Sequence, residues 1–377
     1  LNISFDISPS QKPGHLAPVF CFTQACITLT SQFHNSSFRI FCSLTPILCI
    51  EPKGGFMDTM HIILTLLSGL VLFLFAMNYL SDHLKALAGD RMKSFLDRFT
   101  SNLLTGIVSG TLVTALLDSS SAVIIMTIAL VNARALTFRQ AMGVVMGANI
   151  GTTLSSQIIA FDVGEYAVFP ILTGFVISLA GRNDTVRNAG KVLFSVGLIF
   201  FGLHTMEQAV EPLRGSTSFK DWMLSLENPL SGAAVGGLVT LIIQSSSATV
   251  GMVVGLGAQK LISLSAAIAV MFGSEVGTCA DTLLASAGRS RQAIKTGLFH
   301  LSFNAITIVI GLLLIHPFTD LVLLLSSHAP LPRQIANAHM LFNILGVLLF
   351  IPVTAPLARL LDRLVINRPH ERTTAPA

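Results

Sequence analysis

From about residue 59 to residue 357 the chain alternates long apolar runs with short polar stretches, and glycine and serine interrupt many of the runs. A helix needs about 20 mostly apolar residues to cross a bilayer. The pattern predicts a first helix near 59–80, followed by a basic connection over 81–102. Residues 103–131 are long enough for two short segments that enter and return, and their serine-rich middle suits a re-entrant turn better than a continuous lipid-facing helix. Crossings follow near 136–160 and 166–180, and another starts near 192. A second broken pair covers 229–257, and further helices lie near 262–287, 296–315 and 333–355. Such recurrence excludes a soluble domain on one membrane anchor and predicts an all-α polytopic membrane protein.

Composition agrees with that class. Hydrophobic residues make up 52% of the 377 and charged residues only 11%, with a mean hydropathy of +0.73, whereas an ordinary soluble domain is roughly a quarter charged. The formal charge of +4 is scattered in short clusters between apolar segments, so it reads as a topology signal and not as a nucleic-acid face. Cys21, Cys26, Cys42 and Cys49 precede the apolar body and only Cys279 lies within it, which leaves no disulfide framework and no transition-metal site there. Residues 1–56 have mixed polarity and no sustained period. Codons for Lys53-Gly54-Gly55 can spell a ribosome-binding site before Met57, so this stretch reads either as upstream sequence outside the native protein or as a poorly ordered extension.

A repeat organises the rest. Residues 72–156 match 198–282 at a constant offset of 126 without a gap. Asn102, Gly106, Gly110 and Thr114 fall on Asn228, Gly232, Gly236 and Thr240, and Ser119, Ser120, Ser121 and Ala122 fall on Ser245, Ser246, Ser247 and Ala248. The expected division is a first half over 57–191, a second half with closing helices over 192–357, and a short basic tail over 358–377 containing Arg359, Arg363, Arg368 and Arg372. Equivalent loops carry opposite charge. Lys85, Arg91, Lys93 and Arg98 in one face Glu207, Glu211, Asp221 and Glu227, against only Arg214 and Lys220, in the other, and Asp162 and Glu165 match Gly288 and Arg291. Because basic loops stay cytoplasmic, this predicts two inverted-topology repeats with broken or re-entrant helix hairpins.

The paired segments Asp118-Ser119-Ser120-Ser121 and Gln244-Ser245-Ser246-Ser247-Ala248-Thr249 carry the first candidate chemistry. At a helix break, hydroxyls, exposed N–H groups and the positive helix end can hold an anion, while freed carbonyls can hold sodium. Serine and glycine also permit close helix packing. A second pair contains Gly147, Asn149 and Gly151 against Gly273, Glu275 and Gly277. These glycines indicate helix contact or gating, and an intramembrane glutamate can coordinate sodium, carry a proton or form a structural hydrogen bond. A third pair places His300 with Asn304 and His339 with Asn343, four apart on one helix face and suited to bonding across the bundle. Asp118 matches Gln244, so the half-sites are unequal, and an acidic side chain belongs on the sodium or gating side.

On these motifs the chain from Met57 to about residue 355 resembles the bacterial sodium/phosphate cotransporter family, which is related to animal type II sodium-dependent phosphate transporters. The resemblance implies sodium-coupled symport of inorganic phosphate across a bacterial plasma membrane by alternating access, without enzymatic chemistry or a cofactor. Phosphate, sodium and the bilayer are the implied partners. Carried over, the substrate-binding residues are Ser119, Ser120, Ser121, Gln244, Ser245, Ser246, Ser247 and Thr249. Thr114, Asp118, Asn149, Thr240 and Glu275 are the sodium-binding or coupling candidates. Asp118 replaces the family's usual glutamine, which keeps another small oxyanion, with different or no sodium coupling, as an alternative. A membrane lipid-phosphate hydrolase is a more distant one, requiring His300 or His339 to approach a serine. Some relatives add a PhoU-like C-terminal domain, and the chain's end after its last helix predicts none here.

Overall fold

The computed structural model describes residues 55–88, 91–161 and 164–365. Residues 1–54 of the expected extension, Asp162, Arg368 and Arg372 lie outside the described residues, as does the side chain of Glu165. The chain divides into two compact units, Leu1–Ser68 and Gly69–Ala377. In the first, residues from Gly55 onward are helical. All the candidate site residues lie in the second.

The described residues are helical almost throughout, and the element bounds reproduce the repeat. Helix α1 is Gly55–Ala88, α2 Arg91–Phe99, α3 Leu103–Leu117, α4 Ser120–Asn132 and α5 Phe138–Ile159, followed by α6 at Val168–Ala180. Next come α7 at Asp184–Val210, α8 at Thr217–Ser225, α9 at Pro229–Ile243 and α10 at Ser246–Ala258. The register of α5 is taken up by two pieces, α11 at Leu264–Gly277 and α12 at Cys279–Ser286. Helices α13 (Arg291–Leu313), α14 (Ile315–Leu325), α15 (Leu331–Phe350) and α16 (Thr354–Leu364) complete the unit. Thus α2, α3 and α4 recur as α8, α9 and α10 at the offset read from sequence. Among the described residues five helical stretches are long and apolar enough to cross a membrane: Met60–Ala88, Asp184–Leu213, Leu264–Ser286, Arg291–Leu313 and Leu331–Leu364. Helices α8 and α9 form one further broken pair, bent by 97°. This is a multi-pass membrane protein.

The expected basic connection over 81–102 is mostly helical, because α1 runs to Ala88 and α2 buries Leu96 against the core. Helix continues equally into the expected tail: Leu357 and Leu361 of α16 are buried, and Asp362 pairs with the buried Lys295 at 2.5 Å. Helix α14 was not expected as a separate element. The predicted crossing over 136–160 is a helix of the expected length, but its side chains from Asn149 to Ser156 include many hydroxyls that face protein and not lipid.

Glycine fixes the closest helix contacts, α3 with α5 and α9 with α11. A Cβ added at Gly110 or Gly147 would overlap the carbonyl oxygen of Val144 or Ile107. In the second pair, Cβ atoms at Gly236 and Gly273 would overlap the carbonyls of Val270 and Ala233. Bare backbone at these positions lets dispersion and weak Cα–H contacts act at short range where no hydrophobic driving force separates helix from lipid. Gly273→Val should therefore destabilise the purified protein by about 1–3 kcal/mol or more, read as a lowered melting temperature in detergent. Gly255→Ala, where the added Cβ meets only ordinary contacts beginning at 3.5 Å, should leave it unchanged or slightly raised.

Candidate functional site

Each hairpin turns within two residues. Helix α3 ends at Asp118 in the left-handed region (φ 53°, ψ 33°), and α9 ends at Gln244 in the same region (φ 60°, ψ 28°). The N–H of Asp118 donates to the Thr114 carbonyl at 2.8 Å, and that of Gln244 to the Thr240 carbonyl at 2.6 Å. The following serine is extended and caps the next helix: Ser119 Oγ accepts from the Ala122 N–H and Ser245 Oγ from the Ala248 N–H, both at 3.2 Å. With Val123 N–H bonded to the Ser119 carbonyl and Thr249 N–H to that of Ser245, the first-turn N–H groups of Ser120, Ser121, Ser246 and Ser247 remain directed out of each helix end. The sequence thus builds two similar breaks, each setting the free donors of a helix start beside a helix C-terminus. Ser246 and Ser247 are buried, whereas Ser120 and Ser121 are partly exposed.

The breaks differ below the turn. In the second, Thr240 Oγ1 and Thr249 Oγ1 lie 2.7 Å apart, and Thr249 also bonds the Ser245 carbonyl at 3.2 Å. Position 123, the counterpart of Thr249, is valine, and among the described residues the fully buried Thr114 Oγ1 has no hydrogen-bond partner. Glycine seats both threonines: a Cβ at Gly151 would stand 2.7 Å from Thr114 Cβ, and one at Gly277 would stand 2.5 Å from Thr240 Cβ. The Asp118 carboxylate accepts from Ser155 Oγ on α5. Among the described residues no basic side chain pairs with Asp118, and no three His, Cys, Asp or Glu side chains form a metal cluster.

Asn149, Glu275 and both His–Asn pairs form a separate buried network. Asn149 Nδ2 donates to Asn304 Oδ1 at 2.6 Å, and Asn304 Nδ2 lies 2.7 Å from the Glu275 carbonyl and 3.2 Å from His300 Nε2. His300 Nδ1 meets Thr282 Oγ1 at 2.8 Å. On the other side Glu275 Oε1 meets His339 Nε2 at 2.9 Å, and His339 Nδ1 meets Ser156 Oγ at 2.9 Å. Asn343 Nδ2 donates to the His339 carbonyl at 3.1 Å. The network joins α5 of the first half to α11 and α12 of the second through α13 and α15, and its six named His, Asn and Glu residues are each at most 4% exposed.

The structure therefore places Thr114, Asp118 and Ser119–Ser121 at one hairpin and Thr240, Gln244, Ser245–Ser247 and Thr249 at the other, seats Gly151 and Gly277 against the two threonines and Gly147 and Gly273 against mid-helix backbone, and puts Asn149 and Glu275 with the histidines. Ser155, Ser156 and Thr282 were missed. Reading the repeat a few residues past Gly151 would have shown hydroxyls at the matched positions 156 and 282.

The family profile described as Na+/Pi-cotransporter matches twice, over residues 72–208 and 209–350. "Uncharacterized protein YqeW" of Bacillus subtilis is 28% identical over 309 residues, 81% of this chain and 99% of that protein. "Putative inorganic phosphate export protein YjbB" of Escherichia coli K12 is 26% identical over 310 residues, 81% of this chain but 56% of that protein, so the chain spans little more than half its length. "Sodium-dependent phosphate transport protein 2B" of Homo sapiens is 34% identical over 110 residues, 28% of this chain and 16% of that protein. No solved structure matches.

The threonine difference yields a paired test. Thr249→Val should lower stability by about 1–3 kcal/mol by leaving Thr240 buried without its partner. Val123→Thr should raise it by about 0.5–1.5 kcal/mol by supplying one for Thr114. Melting temperatures of the purified proteins check both directions.

Proposed function

The chain belongs to the Na+/Pi-cotransporter family, and from that premise we propose that it carries inorganic phosphate across a bacterial plasma membrane, coupled to sodium, by alternating access of two inverted halves. One observation carries the reading: both halves break at the same place into a serine-capped helix start facing a helix end, as a site for an anion and a cation together requires. The opposite charge of matched loops supports the inversion.

Phosphate binds the hydroxyls and N–H groups of Ser119, Ser120, Ser121, Ser245, Ser246 and Ser247, with Gln244 and Thr249 beside them. Donors fixed by a helix end and held out of water cost little to reorganise when the anion arrives. Sodium sits by Asp118 and Thr114, where a carboxylate without a basic partner and an unused hydroxyl lie within one turn. Thr240 is already paired with Thr249 beside the second break. Cation binding at Asp118 removes the negative charge that would otherwise repel phosphate, so each ion favours the other and the coupling is reciprocal. No covalent phosphoryl transfer is involved.

Radioactive phosphate uptake by proteoliposomes holding the purified protein tests this directly. Accumulation above the external concentration with an inward sodium gradient, and its loss without one, is the expected result. No accumulation by folded protein, or accumulation indifferent to sodium, would overturn the coupling. Ser246→Ala, which removes one hydrogen bond to a charged ligand, should raise the KM for phosphate roughly 10- to 100-fold. Asp118→Asn should raise the sodium concentration for half-maximal uptake roughly tenfold or more.

A further inference from the structure

Two short helices, α2 and α16, differ from the apolar spans they follow. Two residues separate α2 from the end of α1, and three separate α16 from the end of α15. Helices α1 and α15 are long and apolar enough to cross a membrane, so each short helix starts where a span leaves the hydrocarbon.

The first turn of α5 ties both to one end of the bundle. The Thr100 carbonyl, just past α2, accepts from the side chain of Gln140, which caps the start of α5 together with Thr137. The Lys295 ammonium stands 4.7 Å from the centre of the Phe138 ring in that same turn and 2.5 Å from Asp362 of α16. Arg291 adds a bond to the Asp362 carbonyl. The N–H of Ser290 bonds Asn132 Oδ1 at 2.8 Å, so the turns that carry Arg289 and Arg134 also meet at this end.

Inner faces of the two helices are core, through Leu96 on α2 and Leu357 and Leu361 on α16. Outer faces combine two unlike kinds of group. Phe99, Leu360 and Leu364 are half or more exposed, beside the exposed Arg91, Lys93 and Arg98 on α2 and Arg359 and Arg363 on α16. Each row on α16 repeats every four residues, so the exposed leucines lie between the core row and the arginine row. An apolar strip next to a cationic one, at the edge of hydrocarbon, matches the acyl chain and the phosphate of a lipid.

Charge selects the headgroup. Among the described residues none of these five cations pairs with a carboxylate. The two helices carry only Asp97 and Asp362 as acids, and Asp362 is spent on the buried Lys295. Helix α8 supplies the contrast. It holds the place of α2 in the second half and leaves Trp222 and Leu224 half or more exposed, yet it carries one lysine and one aspartate. Exposed apolar groups on such a helix therefore do not require a cationic surplus, and α2 has one in addition.

We propose that α2 and α16 form a binding surface for anionic phospholipid headgroups, with the cations on the phosphates and Phe99, Leu360 and Leu364 among the first acyl carbons. Lipid held there braces the start of α5, the helix whose Ser155 bonds Asp118. Nothing in this depends on the ion carried.

Lipid contact can be read by fluorescence, because Trp222 is the one tryptophan in the sequence. The full chain with Trp222→Phe and Phe99→Trp reports the α2 surface, and the unaltered chain reports α8. Each is reconstituted in mixed phosphatidylcholine and phosphatidylglycerol bilayers with bromine on the acyl chains of one lipid or the other, and quenching gives the relative affinity. With Phe99→Trp, phosphatidylglycerol should be preferred roughly fivefold or more, against about twofold or less at Trp222. Arg91→Gln, Lys93→Gln and Arg98→Gln together should bring position 99 down to the level of Trp222, and about 1 M salt should weaken the preference. Equal quenching by the two lipids at position 99, or a preference that the three substitutions leave intact, overturns the proposal. Equal quenching accompanied by binding of polyglutamate or a single-stranded oligonucleotide gives the surface to a soluble polyanion instead. Native mass spectrometry of the unaltered chain is the second arm and serves alone if a variant does not fold. Phosphatidylglycerol should be retained over phosphatidylcholine, and equal retention overturns the assignment.

Discussion

A helix that breaks inside hydrocarbon exposes N–H and C=O groups that no water can satisfy, and every other feature of this molecule answers that constraint. The break at Asp118 and the break at Gln244 are held by the same means: a left-handed residue closes one helix, and the next serine opens the other. Only a few donors then stay unused, at the start of the helix that follows each break. Glycine completes the arrangement, letting α5 and α11 lie closely against α3 and α9 and cover each break with protein. A lipid-facing break would lack that cover and would not persist.

The same constraint explains why the histidine network sits where it does. Five helices from both halves converge behind the hairpins, and polar groups on all of them must be paired or desolvated at a cost. Asn304 serves both halves at once, donating to the Glu275 carbonyl and accepting from Asn149. A chain of bonds like this permits a small number of discrete hydrogen arrangements and no continuous range between them. That makes it suited to report a change at one half to the other.

Much of this was legible in the residues. Loss of hydrophobic continuity at Ser119–Ser121 and Ser245–Ser247, with an unbroken register between them, located both breaks within a residue or two, because few other signals put three hydroxyls in a bilayer. The amphipathic helices α2 and α16 were read as a loop and a tail. Charged residues set both apart from the apolar spans, while buried leucines, Leu96 in one and Leu357 and Leu361 in the other, hold them in place. Nor could spacing show that Glu275 faces His339 and not the serines. Both lie on apolar helices with no local sign of which neighbour they meet, and only the packing of α15 between the halves decides it.

Duplication constrains the two halves unequally from one position to the next. Where backbone touches backbone the copies cannot diverge: Gly110 and Gly236, and Gly147 and Gly273, admit no side chain in either half. Polar positions near the breaks have no such restriction, and three have parted in charge. Asp118 stands against Gln244, Ser155 against Asp281, and Asn149 against Glu275. The first half therefore carries its acid at the helix turn, and the second carries its acids on the helix behind. Two equal breaks would offer the same groups in both halves. Unequal ones offer different groups in each, so under the proposed coupling the departures from symmetry, and not the shared serines, are where unlike ions are told apart.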